Sequence, residues 1–204
     1  MKQNLFKRIR VSAAVALIIC VMLSLVGFDA KCDDLRNNVL RLHILANSDS
    51  VADQNLKIAV RDAILATGCT EFESCTNLEQ AISCAENSIH VFKRAAEKTV
   101  KECGYNYDIE IMLDKTYFDT RVYDDFTLPA GFYNALVVRI GEAKGKNWWC
   151  VMFPAICVPA ATDAELSDSV ENDSAEVALN AGRYQIGFKA VEIYQYFKKI
   201  VLNK

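Results

Sequence analysis

The amino-acid sequence predicts a single α+β domain that follows an amino-terminal signal or membrane anchor. Three observations predict this fold class. An uncharged apolar run occupies residues 11–28, apolar residues recur at helical spacing between residues 51 and 103, and they then alternate with polar residues from Tyr107 onward. We therefore expect one strand, two helices, a mostly antiparallel sheet and a carboxy-terminal amphipathic helix. With 204 residues, 52% of them hydrophobic, the chain is long enough to bury one core.

The first 30 residues form the predicted signal peptide or anchor. Residues 1–10 carry four basic side chains and no acid, and the apolar run 11–28 is about as long as a membrane-spanning helix requires. The basic flank would stay in the cytoplasm, which places the rest of the chain outside. We favour an uncleaved anchor through residues 11–28, because cleavage after Ala30 would put Phe28 where a small residue is preferred. Cleavage near residues 26–30 is the alternative.

Charge and cysteine content narrow the class of function. Removal of residues 1–30, which contain four basic side chains and Asp29, changes the formal charge from −3 to −6. An acidic body does not suit a phosphate backbone, so we predict no nucleic-acid partner. The sequence has 8 cysteines and 2 histidines but no Cys-x-x-Cys pair, and we predict neither a metal site nor a cofactor.

The segment VLRLHILANSDS, residues 39–50, is typical of a strand that runs into a polar turn and a capped helix. Alternation predicts that one face of this strand is buried, the face formed by Leu40, Leu42, Ile44 and Ala46. Arg41 and His43 would then lie side by side on the solvent face. Ser50, followed three residues later by Asp53, is a capping-box pattern that predicts the start of a helix.

Two helices are predicted next. The first spans residues 51–67 and ends at Gly68, with an apolar stripe of Leu56, Ala59, Val60, Ala63 and Ile64. The second begins at a capping box of Thr76 and Glu79 and ends at Gly104. Its longer stripe comprises Leu78, Ile82, Ala85, Ile89, Phe92, Ala96, Val100 and Cys103.

After the second helix the period changes to two, which predicts strands. Residues 109–114 and 117–123 are expected to form two half-buried strands. Residues 132–140 and 147–153 are expected to form two more. The connection 141–146 has glycine near both ends, which predicts a hairpin loop between the last two strands.

The remaining chain is predicted to form an acidic connector and a helix. The main domain would cover residues 31–159, and residues 160–182 would form a solvated connector that is partly helical near its end. Residues 183–204 form the predicted amphipathic helix, with a stripe of Ile186, Ala190, Ile193, Phe197 and Ile200. We expect this helix to pack on the sheet, and docking on a partner or on a membrane surface is the alternative.

Trp148 and Trp149 are adjacent in the last predicted strand and must point to opposite faces of the sheet. One of them can enter the core, and the other needs a different cover or forms an exposed binding hot spot. Cys150 and Cys157 flank a turn that contains Pro154, and outside the cell these two cysteines could form a disulfide.

Residue types alone would allow an enzyme. His43 could pair with Cys150 or Cys157, or join Ser48 and Asp49 in a serine-type triad. No nucleophile-elbow glycine pattern, paired metal ligands or phosphate-binding loop accompanies them, and helix capping accounts for at least one of the turn residues. We therefore predict no catalytic residue. The alternatives are an exported hydrolase that uses His43 and Asp49, and a cell-envelope-binding module.

Several ordered blocks of the chain closely resemble the stage II sporulation protein R family. The blocks are LHILANSDS at 42–50, DQ at 53–54, Lys57, VRDA at 60–63, LPAG at 128–131, GKNWWCVMFP at 145–154 and Cys157. The resemblance covers about residues 38–158 and recurs in the terminal helix. The acidic connector and four cysteines lie outside this pattern, namely Cys69, Cys75, Cys84 and Cys103.

The resemblance implies a signalling protein of endospore-forming bacteria rather than an enzyme. It implies export from the forespore into the space between forespore and mother cell. There the family triggers a membrane-embedded aspartic protease that removes the pro-sequence of sigma-E. Carried over to this chain, the resemblance implies a partner-binding surface formed by His43, Asn47, Ser48, Asp49, Asp53, Trp148 and Trp149.

Overall fold

The structure is a computed structural model that describes residues 2–123, 126–154 and 172–202. Its helices are α1 (Lys2–Asn37), α2 (Val51–Glu71), α3 (Leu78–Glu102), α4 (Asn172–Leu179) and α5 (Gln185–Leu202), with a 3₁₀ turn at Ala181–Arg183. Its strands are β1 (Leu40–Leu45), β2 (Ile109–Phe118), β3 (Arg121–Val122), β4 (Thr127–Leu128), β5 (Gly131–Ile140) and β6 (Asn147–Phe153).

Four strands form one mixed sheet in the order β2-β5-β1-β6. β1 runs parallel to β5 and antiparallel to β6, and β2 is antiparallel to β5. This mostly antiparallel sheet with its helices confirms the predicted α+β class. The predicted strand at 117–123 does not form as one strand. Its first two residues belong to β2, which continues through Phe118, and the short β3 pairs with β4 in a separate two-stranded ribbon.

The predicted hairpin between β5 and β6 is wrong, because β1 lies between these two strands. Residues 141–146 instead form a crossover past the carboxyl end of β1. There the backbone N–H of Gly145 donates to the Ala46 carbonyl at 2.8 Å, and that of Lys144 donates to the Asn47 carbonyl at 3.2 Å. Strands that are neighbours in sequence usually pair, and here an earlier strand has inserted between them.

The two long helices differ from prediction at two of their ends. α2 continues past Gly68, where a Cβ would lie only 3.0 Å from the methyl carbon of Met152. This glycine therefore allows close packing on β6 and does not end the helix. The predicted capping box of α3 is also wrong, because Asn77 is the N-cap and its side chain accepts from the Gln80 N–H. The predicted end at Gly104 is confirmed, with a φ of +83°.

Both faces of the sheet are covered. α2 and α3 cover one face and form the larger core, which includes Leu40, Leu42, Ile44, Val60, Ile64, Phe92, Leu136 and Val138. The last turns of α1, together with α4 and the ribbon, cover the other face around Leu35, Val39, Phe118, Leu128, Tyr133, Val137 and Ala178. The sheet is therefore the middle of three layers.

The prediction that Arg41 and His43 face solvent is wrong. Arg41 is 0% exposed and His43 is 8% exposed. Alternation assigned them correctly to the face opposite Leu42, but β1 is an interior strand and that face is covered too. Sequence alternation gives the phase of a strand, and it does not tell whether the second face meets water or protein.

α1 continues without a break from the apolar run into the domain, so the predicted boundary between anchor and domain falls inside a helix. Leu35 is fully buried, and Arg36 is 3% exposed. The Arg36 guanidinium donates to the Ala130 carbonyl at 2.9 Å and pairs with Asp29 at 2.8 Å. Gly131 has a φ of +148°, and a Cβ there would lie 2.4 Å from the Arg36 side chain. Only glycine fits this contact.

In the part of the chain that the structure describes, α1 is the one helix long and apolar enough to cross a membrane. This statement rests on length and composition, and a signal sequence near the amino terminus has the same properties.

The described part of the predicted connector is only partly solvated. α4 buries one face against the domain, the face formed by Ser174, Ala175, Val177 and Ala178. Its acidic residues are on the outer side, where Asp173 pairs with Lys31 of α1 at 3.1 Å. The helical character predicted near the end of the connector is confirmed, and residues 160–171 lie outside the described residues.

α5 packs with the face opposite the one predicted. Phe188 and Val191 are buried against α1 and α4, and Gln195 is 2% exposed. The predicted stripe faces away from the domain, since Ile186 is 86% exposed and Phe197 is 61% exposed. The helix and its stripe were predicted correctly, and the expectation that the stripe packs on the sheet is wrong.

Candidate functional site

The polar turn between β1 and α2 is organised around the carboxylate of Asp53. The Ser50 hydroxyl oxygen accepts from the Asp53 N–H at 3.1 Å, which confirms the predicted helix cap. The Asp53 carboxylate accepts from the Ser48 hydroxyl at 2.5 Å and from the Asn47 amide at 2.9 Å. These hydrogen bonds, that of Ser48 first, hold the pKa of Asp53 below its ordinary value of 3.8. The turn therefore holds an ionised carboxylate, whose side-chain donors are Ser48 and Asn47 of the turn and Tyr107 from the segment before β2.

The same turn holds the crossover in place through its polar side chains. The Oδ1 atom of Asn47 accepts from the Glu142 backbone N–H at 3.0 Å. The Oδ1 atom of Asp49 accepts from the Lys146 backbone N–H at 2.6 Å. Two blocks that lie about a hundred residues apart in the chain are thus one structural unit.

The glycines of the crossover are required by this contact. A Cβ at Gly141, where φ is +57°, would lie 2.4 Å from the Oδ1 atom of Asn47. A Cβ at Gly145 would lie 2.2 Å from the Ser48 carbonyl oxygen. These distances are too short for any side chain, so the glycines serve close approach rather than a hairpin turn.

Gln54 and Lys57 belong to this unit and were not predicted as site residues. The Lys57 ammonium is nearly buried and donates to the Gln54 side chain at 2.7 Å and to the Lys146 carbonyl at 2.9 Å. The Gln54 amide donates to the Ser48 carbonyl at 2.9 Å. Burial lowers the pKa of Lys57. The sequence signal that could have identified them is their spacing of three residues, which places both side chains on the same side of the first turns of α2.

His43 and Trp149 form a second group, on the sheet face that α1 and the ribbon cover. Their rings stack with centroids 3.9 Å apart and planes 13° apart. The Nε2 atom of His43 lies 3.1 Å from the side-chain oxygen of Asn147, and the Arg121 guanidinium lies 5.6 Å over the Trp149 ring. Burial lowers the pKa of His43 below 6.5, and nearby guanidinium groups lower it further.

Trp148 points to the opposite face of the sheet, as predicted. Its ring packs against the larger core, and the Arg61 guanidinium lies 4.5 Å over it. Cys150 shares this face, is 1% exposed and is disulfide-bonded. Cys157, the partner that the sequence predicts, lies outside the described residues, so the pairing stays a prediction.

The geometry does not assemble the residues of a hydrolase. His43 contacts Asn147 and an aromatic ring, whereas Asp49 is bonded to the crossover backbone. Ser48 is hydrogen-bonded within the turn. Cys150 and His43 lie on opposite faces of the sheet, so they cannot form a nucleophile pair. Among residues 2–123, 126–154 and 172–202, no group of three or more His, Cys, Asp or Glu could hold a metal ion.

Comparison with known proteins links both groups to one family. A family model described as Stage II sporulation protein R (spore_II_R) matches residues 36–163, which is more than half of the chain. The chain belongs to the stage II sporulation protein R family. A curated relative, Stage II sporulation protein R of Bacillus subtilis (strain 168), is 35% identical over 139 residues. That match spans 68% of this chain and 62% of the relative. No solved structure matches the chain.

The family match contains the whole sheet and both groups of candidate residues. It begins at Arg36, the residue that ties α1 to the turn before β5. The apolar part of α1 and the helices α4 and α5 lie outside it. The matched region therefore comprises the sheet, α2, α3 and the ribbon, together with the end of α1.

Proposed function

We propose that this member of the stage II sporulation protein R family is an exported signalling ligand of endospore formation. Its target would be the membrane-embedded aspartic protease that removes the pro-sequence of sigma-E. The main support for this proposal is that the chain belongs to this family. The apolar helix at the amino terminus supports it, because such a helix is what delivery across a membrane requires. The chain would leave the forespore and act in the space between forespore and mother cell.

The arrangement of the domain supports a role in which the polar turn is presented away from the membrane that α1 would span. α1 enters the domain at the end of the sheet where β5 begins, through the contact of Arg36 with Ala130. The polar turn and the crossover lie where β5 ends. A strand of 10 residues separates these two ends by about 30 Å. An anchored domain would therefore carry the polar turn towards an opposite membrane.

We propose that the protease contacts this distal end. Asp49 is exposed there, and Trp148 and Trp149 are partly exposed on the two faces of the edge strand β6. Aromatic side chains of this kind dominate many binding interfaces. Asn47, Ser48 and Asp53 would act by fixing the conformation of the turn and the crossover. His43 would hold Trp149 in place by stacking against its ring.

Co-expression of the chain with the protease and pro-sigma-E in a non-sporulating bacterium tests the function. We expect processing only when the chain carries an export signal, in proportion to the amount of exported protein, because a ligand shifts its target by binding and does not turn over. The exchange should replace residues 1–27 with an unrelated signal, since Phe28 and Asp29 belong to the fold. Full processing by a signal-less chain confined to the cytoplasm would contradict the proposal.

The contact surface is tested in the same assay with single substitutions. We expect Trp148→Ala and Trp149→Ala each to reduce processing at least tenfold at equal amounts of exported protein. Lys98→Ala is the matched control, because Lys98 is exposed on α3 and should leave processing unchanged. The melting temperature of each variant separates loss of contact from loss of fold. Unchanged processing by both tryptophan variants would place the contact elsewhere.

A further inference from the structure

The terminal helix α5 has two apolar faces, and the domain uses the smaller one. Phe188 and Val191 pack inward. The outward face is formed by side chains that are 44–86% exposed, namely Ile186, Ile193, Tyr194, Tyr196, Phe197, Ile200 and Val201. At ~100° per residue these fall within an arc of ~160° on one side of the helix, which also contains Lys189, whose ammonium pairs with Glu192 at 3.0 Å. An exposed apolar surface of this size marks an interaction site.

The position of this face beside α1 indicates what covers it. Phe188 meets Phe28 edge-on, with ring centroids 5.4 Å apart, where the uncharged run of α1 ends. A groove between the two helices is lined by Met22, Leu25, Val26 and Asp29 of α1 and by Ala190, Val191 and Tyr194 of α5. With a rise of 1.5 Å per residue, Met22 lies about 9 Å deeper along α1 than Phe28. α5 thus lies beside the last turns of the apolar run.

α5 then crosses the end of the domain nearest to the anchor. Its far end reaches the edge strand β2, where the Lys199 ammonium lies 4.4 Å from the centre of the Tyr117 ring. Tyr117 pairs with Phe132 at the start of β5, the end at which α1 enters the domain. The outward face of α5 is therefore directed to the side from which the anchor emerges.

We propose that α5 is an interfacial helix whose outward face lies in the outer leaflet of the bilayer that α1 spans. This inference rests on α1 as an anchor, which is part of the proposed function, and needs nothing of the protease. The exposed apolar surfaces of α1 and α5 are continuous across the groove, so a bilayer that covers one reaches the other. Tyr194 and Tyr196 flank the apolar centre, and Lys198 follows, an order that suits the headgroup region.

Fluorescence quenching by brominated lipid tests this arrangement in the full-length chain. The chain is reconstituted in phosphatidylcholine–phosphatidylglycerol vesicles with bromine placed either near the headgroups or at the bilayer centre. Three variants each add one reporter, Phe197→Trp in α5, Leu17→Trp in the apolar run and Val51→Trp at the start of α2. Leu17 and Val51 are 66% and 77% exposed, so these changes disturb no packing. Emission of the parent chain, from Trp148 and Trp149, is subtracted.

We expect the reporter at position 197 to lose at least half of its emission to shallow bromine and less to central bromine. The reporter at 17 should be quenched by central bromine, and the one at 51 by neither. If position 197 behaves like position 51 while position 17 is quenched, α5 is outside the lipid and the inference is wrong, although the anchor stands. If position 17 is also unquenched, the anchor fails, and the proposed delivery fails with it.

A second measurement covers the case in which the new tryptophan disturbs the helix. Ile193→Glu with Phe197→Glu adds charge to the outward face and leaves the packed face intact. Amide hydrogen exchange of α5 in vesicles should become at least tenfold faster in this variant, because its lipid cover is lost. Exchange that is unchanged, or slow exchange that depends on protein concentration as a second copy would require, would overturn the inference.

Discussion

At the scale of single residues, the face of β1 that was expected to be exposed to solvent instead buries Arg41 and His43 among aromatic rings. The Arg41 guanidinium lies 3.9 Å over the Phe118 ring and 4.9 Å from that of Tyr133, and it donates to the Tyr123 hydroxyl. Burial lowers the pKa of Arg41, yet a guanidinium keeps its proton at neutral pH. The faces of the rings stabilise this charge. The charge in turn disfavours a proton on His43.

We predict that His43 makes the free energy of unfolding depend on pH. Its pKa in the folded protein is below 6.5, so below pH 6.5 the unfolded chain binds the proton more strongly than the folded protein does. Stability should therefore be full above pH 6.5 and should decrease as the pH falls towards the folded pKa. Urea unfolding from pH 8 to pH 5 measures this slope. His43→Gln should flatten it, whereas His90→Gln, at an exposed site, should not; equal slopes in all three proteins would contradict the prediction.

We also predict that His43→Ala lowers the free energy of unfolding by about 1–3 kcal/mol, a typical loss for a packed core side chain. A surface position would cost less than about 0.5 kcal/mol. The difference arises because the His43 ring is stacked on Trp149 and hydrogen-bonded to Asn147. The substitution removes the stacking and leaves the Asn147 side chain without this partner. Chemical denaturation measures the change, and a loss below about 0.5 kcal/mol would show that the stacking contributes little.

At the scale of elements, the contact between the polar turn and the crossover explains why glycine stands at both ends of the crossover. We predict that Gly145→Ala lowers the free energy of unfolding by about 1–3 kcal/mol, because the added methyl group meets backbone that cannot move aside. Gly182→Ala is the matched control, since nothing lies within 4 Å of a Cβ at that position. Similar melting temperatures for the two variants would show that the turn can shift.

Two free thiols lie close together where the loop between α2 and α3 meets α3, namely Cys75 in the loop and Cys84 in the helix. The sulfur atoms of Cys75 and Cys84 lie 3.2 Å apart, and neither residue is in a disulfide. Burial, with the contact to Cys84, raises the pKa of Cys75 to about 11. We predict that a small-molecule disulfide oxidises this pair slowly at neutral pH and faster as the pH rises towards 11, because the thiolate is the attacking species.

Mass spectrometry after alkylation measures this reaction in folded protein. Cys84→Ser should abolish the Cys75–Cys84 cross-linked peptide, because Cys75 can then form only a mixed disulfide with the reagent, and the exposed Cys103 serves as the control for access. If Cys75 remains fully alkylated after prolonged treatment at alkaline pH, the two thiols do not approach each other as the structure places them.

The sequence predicted most elements but not how they are arranged. Periodicity and capping residues identified β1, α2, α3 and α5 because these signals are local. The insertion of β1 between β5 and β6 is set by contacts between distant parts of the chain, which no local pattern records. The Asp53 turn was found from its cap, whereas its union with the crossover required the sheet order. For α5, periodicity found the apolar stripe, but it cannot say whether domain, lipid or protein covers a stripe.

At the scale of the whole molecule, α1 is both an apolar helix and a part of the domain. We predict that removal of residues 1–30 lowers the free energy of unfolding of the remaining domain by about 1–3 kcal/mol relative to removal of residues 1–27. The longer deletion takes away the Phe28 ring packed on α5 and the Asp29 carboxylate paired with the nearly buried Arg36. Urea denaturation of both proteins measures the difference.

Asp29→Asn in the protein that begins at residue 28 isolates the ion pair from the ring contact. This change should account for part of the loss. Equal stability of the two deletion proteins would mean that the domain is complete without the end of the apolar run, as the sequence boundary at residue 30 implied.

The order of strands in the sheet also sets when the molecule can fold. Leu40 at the start of β1 pairs with Asn134 of β5 and with Phe153 of β6. The first strand to be synthesised therefore cannot pair until the last two have been made. Contacts between such distant segments form slowly. A chain threaded through a translocation channel from its amino terminus therefore cannot close its sheet until β6 has followed. In the proposed export, this topology would keep the polypeptide unfolded during transit, and the domain would close only on the far side of the membrane.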